Sequence, residues 1–72
     1  MENSNIRKVV GENLKFARKA KGLTQKELAK TLGKYQSDYS EYETGTIELD
    51  YEKIVFLCKK LDITPNDLFD FR

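Results

Sequence analysis

Three glycines divide the first part of the chain into short segments, and this division limits the fold more than any other feature of the sequence. Gly22, Gly33 and Gly45 each follow a stretch in which apolar residues recur three or four positions apart. That spacing places the apolar side chains on one face of an α-helix, and glycine is common just past a helix end because it adopts the left-handed conformation without strain. The pattern therefore predicts three consecutive helices, each with one buried face.

The same periodicity continues in the rest of the chain, which gives five predicted helices and no strand. The expected fold class is all-α, a compact five-helix domain that covers residues 1–72 as a single unit. The second helix, about nine residues long, is too short to be stable alone and must pack on its neighbours. The predicted helices are, in chain order, Ile6 to Ala20, the residues between Thr24 and Gly33, those from about Gln36 to Gly45, Tyr51 to Leu61, and a short helix in the segment TPND. Tyr35 lies in the turn before the third helix, and Tyr39 is expected to hold that helix to the core. Ile47 and Phe69 are expected to point inward.

Several predicted helix starts carry residues whose side chains cap free backbone amides. Thr24 and Glu27 stand three positions apart, which is the spacing of a capping box. Asp50 is expected to cap the fourth helix, and Thr64 the fifth, with Pro65 at its first position. These residues support the helix starts independently of the apolar pattern.

The residue types that are absent exclude several kinds of active site. The chain has no histidine and a single cysteine, Cys58, within the apolar run IVFLC. Zinc sites that use histidine, Cys–His pairs and Ser–His–Asp triads are therefore excluded, and no glycine-rich phosphate loop is present. We predict that the protein is not an enzyme, binds no metal and needs no cofactor, and that Cys58 is a small buried hydrophobic residue.

Nothing in the chain has the pattern of a membrane span or of a signal peptide. No apolar run reaches the roughly 18 residues that a membrane helix needs. The N-terminal sequence MENSNIRKVV lacks an apolar core of signal-peptide length, and a lone cysteine fits a reducing compartment. The expected location is the cytoplasm, with no membrane partner.

Charge is divided unevenly along the chain, although the net charge is only +1. From Arg7 to Lys34, nine basic residues stand against two acidic ones, a local charge of +7. From Tyr35 to Arg72, four basic residues stand against nine acidic ones, a local charge of −5. A lysine-rich segment is either a solvated face or a surface for a polyanion, and charge alone does not decide between them.

The second and third predicted helices, joined by a short turn at Gly33, form a helix-turn-helix arrangement over about residues 24–43. In that arrangement the later helix enters the DNA major groove. Many helical hairpins share such a turn, so the turn alone is weak evidence for DNA binding.

Three longer pieces of sequence strengthen that evidence. They are KGLTQKELAKTLG, the spacing of Ser40, Glu43 and Gly45, and the tail KKLDITPNDLF. From about Ile6 to Phe69, the chain resembles the helix-turn-helix domain of the phage lambda repressor and Cro type, also called XRE-like. The resemblance implies a compact helical domain that binds DNA and regulates transcription.

The resemblance also implies roles for individual polar residues. Gln25, at the start of the second helix, matches a phosphate-contacting position, where free amides and the helix dipole attract phosphate. Gln36 and Ser37 match positions that reach base edges, and Ser40 and Glu41 match positions one turn further along. A glutamine can pair with the N6 and N7 edge of adenine. The alternatives are a solvated Gln36 and a Ser37 that only caps the helix.

Lysines near these positions are candidates for contacts with the DNA backbone. Lys34 lies in the turn, and Lys26 and Lys30 lie on the second helix. The loop after the third helix departs from the family, because Thr44 and Thr46 stand where many relatives have basic residues. We therefore expect a modest non-specific affinity and a shallow dependence of binding on salt.

The acidic residues of the third helix need separate explanations. In the family, a glutamate at the position of Glu43 often pairs with a basic residue of the first helix, and Arg18 stands at the matching place. The resemblance thus implies that Arg18 and Glu43 form a structural ion pair and that Glu43 does not contact DNA. Asp38 is either a cap or solvated residue at the helix start or a partner for cytosine N4. A third alternative is that Asp38 and Glu41 belong to a surface for another protein.

Apolar residues near the end of the chain indicate self-association. Phe56 and Phe71, together with Val55 and Tyr51, have no obvious place in the first core. The resemblance implies a homodimer that binds paired half-sites about one DNA turn apart. The alternative is that these side chains complete a thin core.

The resulting prediction is a sequence-specific DNA-binding transcription regulator. It would bind double-stranded operator DNA in the major groove as a homodimer and repress by occupying the operator. A phage or plasmid repressor, a restriction-modification controller and an antitoxin all fit this size. The alternative is a protein-interaction adaptor with the same fold, for example an antitoxin-like module that binds a basic partner.

Overall fold

The computed structural model describes residues 3–70, and these residues form five α-helices and no strand. The all-α fold class is confirmed. The predicted start of α1 was three residues late, and α2 is seven residues long, shorter than predicted. The helices are α1 (Asn3–Ala20), α2 (Gln25–Thr31), α3 (Gln36–Thr44), α4 (Tyr51–Leu61) and α5 (Pro65–Phe69).

The predicted caps are present at the starts of α2, α4 and α5. The Thr24 hydroxyl accepts from the Glu27 amide at 3.0 Å, and the Glu27 carboxylate accepts from the Thr24 amide at 2.8 Å. Asp50 accepts from the Lys53 amide at 2.8 Å, and Thr64 forms a second capping box. Because each cap satisfies an amide that the helix leaves free, these side chains define where the short helices begin.

The core contains one fully buried large side chain from each helix. α1 packs against α3 and α5, α2 packs against α3, and α4 packs against α5. Burying a leucine completely stabilises a fold by about 1.5–3 kcal/mol, so the four leucines, together with the tyrosine of α3, distribute the stability over all the helices. The five fully buried residues are Leu14, Leu28, Tyr39, Leu57 and Leu68.

α1 approaches the backbone of α3 closely at Gly11. A Cβ atom at this position would lie 2.4 Å from the Glu43 carbonyl oxygen and 2.7 Å from that of Tyr42. Only glycine fits this approach without moving one of the helices. The position of α3 relative to α1 therefore depends on the missing side chain at Gly11.

Two apolar residues that were expected to point inward are partly exposed. Ile47 is 39% exposed and Phe69 is 38% exposed, and both line an apolar groove with Ile6 at the start of α1. The prediction was wrong for Phe69 because α5 has only five residues, and no described element beyond it covers the ring. Cys58 is buried in the core, and burial raises the pKa of its thiol.

None of the described helices is both long enough and apolar enough to cross a membrane.

Candidate nucleic-acid interface

α2 and α3 form a helical hairpin connected by residues 32–35. Gly33 adopts a left-handed conformation with φ of +71°, and the Lys34 amide donates to the Ala29 carbonyl at 2.9 Å. Tyr35 is extended, and its carbonyl accepts the first hydrogen bonds of α3. The left-handed turn at Gly33 thus ends α2 and directs the start of α3 away from it.

The outer face of α3 carries exposed polar side chains. Gln36, Ser37, Asp38 and Glu41 are exposed, and Ser40 is half-buried. Tyr35 occupies the N-cap position, and no side chain caps the helix there. Ser37 and Asp38 therefore do not serve as caps, and their polar atoms face outward from the first turn.

Basic residues surround the start of α3. Lys26 and Lys30 are exposed on α2, and Lys34 is half-buried in the turn. A shallow concave surface is lined by Lys30, Lys34, Asp38 and the ring of Tyr35, which is 81% exposed. The concave surface therefore combines two ammonium groups with a carboxylate at the free end of α3.

The inner face of α3 contains an ion pair between Arg18 of α1 and Glu43. Arg18 Nε donates to Glu43 Oε2 at 2.6 Å, and Arg18 Nη2 donates to Oε1 at 3.2 Å. The third nitrogen, Nη1, donates to the Leu23 carbonyl at 2.7 Å. Both side chains are more than nine-tenths buried, so the pair holds α1, α3 and the start of α2 together.

Two further donors complete the surroundings of the Glu43 carboxylate. The Tyr39 hydroxyl donates to Oε2 at 2.6 Å, and Gln25 Nε2 donates to Oε1 at 2.9 Å. We refer to Arg18, Gln25, Tyr39 and Glu43 as the carboxylate network. Arg18, Tyr39 and Gln25 together donate four hydrogen bonds to Glu43, which matches the acceptor capacity of one carboxylate.

The network determines the protonation of its members. Burial alone would raise the pKa of Glu43, but the hydrogen bonds from Arg18, Tyr39 and Gln25 outweigh it and lower that pKa below its usual value. The hydrogen bond to Glu43 raises the pKa of Arg18. Burial, reinforced by the nearby carboxylate, raises the pKa of Tyr39. At neutral pH, Glu43 is thus an anion, and Tyr39 remains a hydroxyl donor.

Gln25 connects the carboxylate network to the outer face of α3. It was expected to contact phosphate, yet its side chain is half-buried and donates to Glu43. On its other side, Gln25 Oε1 accepts from Gln36 Nε2 at 3.4 Å. The structure therefore joins Gln36, a predicted base-contacting residue, to the buried ion pair through Gln25.

Sequence reasoning missed two residues of this region. It treated Tyr39 only as an apolar contact, although its position one helical turn before Glu43 was a usable signal for a hydrogen bond between them. Tyr35 was assigned to the turn without a function, although it immediately precedes Gln36. No sequence signal indicated how far its ring is exposed.

The predicted dimer residues of α4 are exposed. Phe56 on α4 is 39% exposed, Val55 is 53% exposed and Tyr51 is 88% exposed. They therefore do not complete the core, which was the alternative interpretation. Phe71 lies outside the described residues.

The loop after α3 is held by its own hydrogen bonds. The hydroxyls of Thr44 and Thr46 lie 2.8 Å apart and share a hydrogen bond. The Thr46 amide donates to the Glu41 carbonyl at 2.9 Å. These bonds hold the loop against the end of α3.

Comparison with known proteins agrees with this geometry. The chain is 35% identical over 60 residues to Antitoxin PezA of Streptococcus pneumoniae, an alignment that covers 83% of this chain and 38% of that protein. It is 42% identical over 53 residues to the uncharacterized HTH-type transcriptional regulator YqaE of Bacillus subtilis, which covers 74% of this chain and 46% of that protein. The chain thus spans less than half the length of either relative.

The family match covers the whole of this region. Residues 11–70 match the helix-turn-helix domain family, a range that includes α2, the turn, α3 and the helices behind them. On this match, and with a hairpin that exposes the first turn of its later helix, the chain belongs to the helix-turn-helix domain family.

Proposed function

We propose that this chain is a sequence-specific DNA-binding regulator of transcription. The observation that carries the proposal is the start of α3, where Gln36 and Ser37 are exposed beside a concave surface that contains Lys30 and Lys34. An exposed helix end of this kind enters the DNA major groove, which is wide enough to admit an α-helix. The 72 residues act as one DNA-binding module in this proposal.

The exposed residues divide into two groups by their contacts with DNA. Gln36 and Ser37 contact base edges first, and Ser40 and Glu41 lie one turn deeper along the helix. Lys26 and Lys34 contact phosphates, and Gln25 adds to the phosphate contacts from its place at the start of α2. Phosphate contacts position a protein on the duplex, whereas base contacts select the sequence.

The acidic residues of α3 are compatible with this arrangement. The charge of Glu43 is buried and paired with Arg18, so it does not face the DNA. Asp38 lines the same concave surface as Lys30 and Lys34, which offset its repulsion from phosphate. Glu41 is exposed on the outer face, where a carboxylate accepts from cytosine N4 and disfavours other bases.

A homodimer would make the proposed regulator specific enough to find an operator. One domain contacts few base pairs, and two domains bind half-sites about one helical turn apart. A shallow surface on α4 is lined by Tyr51, Val55 and Phe56 and supports a dimer contact, to which Phe71 would add. The dimer would repress by occupying its operator.

The proposal is tested by selecting bound sequences from random DNA at a stated salt concentration. We expect one enriched motif, with half-sites related by two-fold symmetry. Lys34→Ala should weaken binding to all sequences and reduce the salt slope by about 1. The matched control is Lys60→Ala, on the exposed surface of α4, which should leave both quantities unchanged.

Three results would each contradict one part of the proposal. Selection that enriches no motif at any salt concentration would reject sequence-specific binding. Sedimentation of the free protein as a monomer at high micromolar concentration would reject the dimer. A variant Phe56→Ser that leaves the sedimentation of a wild-type dimer unchanged would reject the α4 interface.

A second candidate function is that of a protein-interaction adaptor. It is favoured by the exposed apolar side chains of α4, which DNA contacts by α3 leave free, and by the similarity to a protein named as an antitoxin. In this case the adaptor would hold a partner protein through α4 and the acidic residues nearby. Binding to DNA that ignores sequence, together with a stable complex with a basic partner protein, would favour this candidate.

A further inference from the structure

The carboxylate network fixes which group donates and which accepts in each hydrogen bond between Glu43 and Gln36. All four of its bonds end on the Glu43 carboxylate, which only accepts when ionised. The donors to Oε1 and Oε2 come from Arg18, Tyr39 and Gln25. Arg18 has no acceptor to offer, and a reversed Gln25 would place its oxygen against a carboxylate oxygen, so neither bond to Glu43 can change direction without loss.

Gln25 extends the same order of donors and acceptors to the protein surface. An amide side chain has its donors on nitrogen and its acceptor on oxygen. Since Gln25 must present Nε2 to Glu43 at 2.9 Å, its Oε1 is the atom that faces Gln36. Gln36 must then present Nε2 to Gln25, as it does at 3.4 Å.

The hydrogen-bonding capacity that Gln36 retains for DNA follows from this arrangement. One of its two N–H groups is directed to Gln25, which leaves one donor and one acceptor oxygen. The major-groove edge of adenine offers one acceptor, N7, and one donor, N6–H, whereas guanine offers two acceptors, N7 and O6. Gln36 in this state complements adenine, and a glutamine that complements guanine at both atoms needs two free donors.

We infer that Glu43 is a positioning residue for sequence recognition: through Gln25 it fixes the amide orientation of Gln36, so that Gln36 favours adenine over guanine. The inference rests on the proposed function, because it concerns the base that faces Gln36 in a DNA complex. It assigns to a buried carboxylate, which does not touch DNA, an effect on which base is selected.

Two variants separate this role from simple stabilisation. The nitrogen of Glu43→Gln should take the position of Oε1, because there it gives up only the 3.2 Å bond from Arg18 Nη2 and keeps the two 2.6 Å bonds to the other oxygen. It then donates to Gln25, which turns its oxygen inward and its nitrogen toward Gln36. Gln36 must then accept with its own oxygen, and both of its N–H groups become free for guanine. Gln25→Ala removes the connection while it leaves the Arg18–Glu43 pair in place, so Gln36 is no longer held in either orientation.

The measurement is the ratio of affinities for two DNA duplexes in competition. The adenine that Gln36 contacts is first identified as the one that Gln36→Ala no longer prefers. One duplex carries the site selected by the wild-type protein, and the other has guanine in place of that adenine. We expect the wild type to prefer adenine by about tenfold or more. Gln25→Ala should reduce this preference severalfold, and Glu43→Gln should bring the ratio to one or invert it toward guanine.

The ratio is independent of how much of a variant is folded, because both duplexes compete for the same folded protein. Tyr39→Phe is the matched control: it removes a donor to the same carboxylate, at Oε2, and leaves the bond from Gln25 to Oε1 in place. It should lower the melting temperature and keep the wild-type ratio. If Glu43→Gln does not fold, Gln25→Ala decides the question by itself.

The outcomes distinguish the inference from the function on which it rests. A wild type that selects a motif, together with Gln25→Ala and Glu43→Gln variants that keep its ratio, overturns the inference and leaves the proposed function standing. The inference is also overturned if Gln36→Ala does not reduce the preference for adenine at any position of the selected motif. A wild type that selects no motif overturns the proposed function and the inference with it.

Discussion

The inner and outer faces of α3 differ in how their polar groups are satisfied. On the inner face, Tyr39 and Glu43 are buried, and every buried side-chain nitrogen and oxygen among the described side chains has a hydrogen-bond partner. On the outer face, Gln36 makes only the long hydrogen bond to Gln25, and the side chains of Ser37 and Asp38 make none within the described residues. One nine-residue helix thus carries a saturated face and an unsaturated one.

The difference shows how a small domain separates stability from recognition. Saturated groups on the inner face exclude water and hold the helix in position, whereas unsaturated groups on the outer face keep their hydrogen bonds for a ligand. Changes on the inner face should therefore cost folding free energy, and changes on the outer face should affect binding.

Glu43→Ala should have the largest effect. It leaves the Arg18 guanidinium buried without its anion and should reduce the free energy of unfolding by about 3–5 kcal/mol, measured by urea denaturation. The matched control is the double variant Arg18→Met with Glu43→Leu, which removes both charges and should recover part of the loss, because the buried Tyr39 hydroxyl still lacks its acceptor. A loss below about 1 kcal/mol in Glu43→Ala would show that the pair is not important for stability.

Gly11→Ala should have the next largest effect on stability. Alanine normally favours a helix over glycine, but here its Cβ would meet the Glu43 and Tyr42 carbonyl oxygens. We expect a net destabilisation of about 1–3 kcal/mol by overpacking, again from urea denaturation. Glu12→Ala, at the exposed neighbouring position of α1, is the control and should stay within about 0.5 kcal/mol. Equal stability of the two variants would disprove the close approach of α1 and α3.

Acid should weaken the inner face through Glu43. Its pKa is lowered in the folded protein from the ordinary value of 4.5, so its contribution to stability is complete above that value. The contribution is lost as the pH falls through the lower pKa of the folded state. The measurement is the free energy of unfolding against pH for the wild type and Glu43→Gln, and the wild type should lose more stability below pH 4.5.

The comparison between these two proteins isolates one carboxylate. Glu27 and Asp50 also have lowered pKa values, from their bonds to Thr24 and Lys53 respectively. Both residues are present in the wild type and in the variant, so their contributions subtract out. Parallel pH profiles would show that the charge of Glu43 does not stabilise the fold.

Gln36→Ala should have the smallest effect on folding. The side chain is exposed, so we expect a change within about 0.5 kcal/mol in the free energy of unfolding. Discrimination at the base that Gln36 contacts should nevertheless fall by about 1–3 kcal/mol, measured by competition between duplexes. A stability loss as large as that of Gly11→Ala would contradict the division between the two faces.

Much of the fold could be predicted from local patterns. Thr24 with Glu27, Asp50, and Thr64 with Pro65 mark helix starts, because capping depends on residues only three positions apart. The resemblance to a known family suggested that Arg18 and Glu43 would pair across 25 positions. The exposure of Phe69 could not be predicted, because it depends on whether another element covers α5.

The sequence by itself determined the number and kind of helices and the short turn between α2 and α3, since these follow from apolar periodicity, caps and left-handed glycines. Only the tertiary structure decided that Gly11 lies against the α3 backbone and that Gln25 donates to Glu43. Each of these contacts joins residues of different helices. They depend on how closely the packed helices approach one another, which no local pattern encodes.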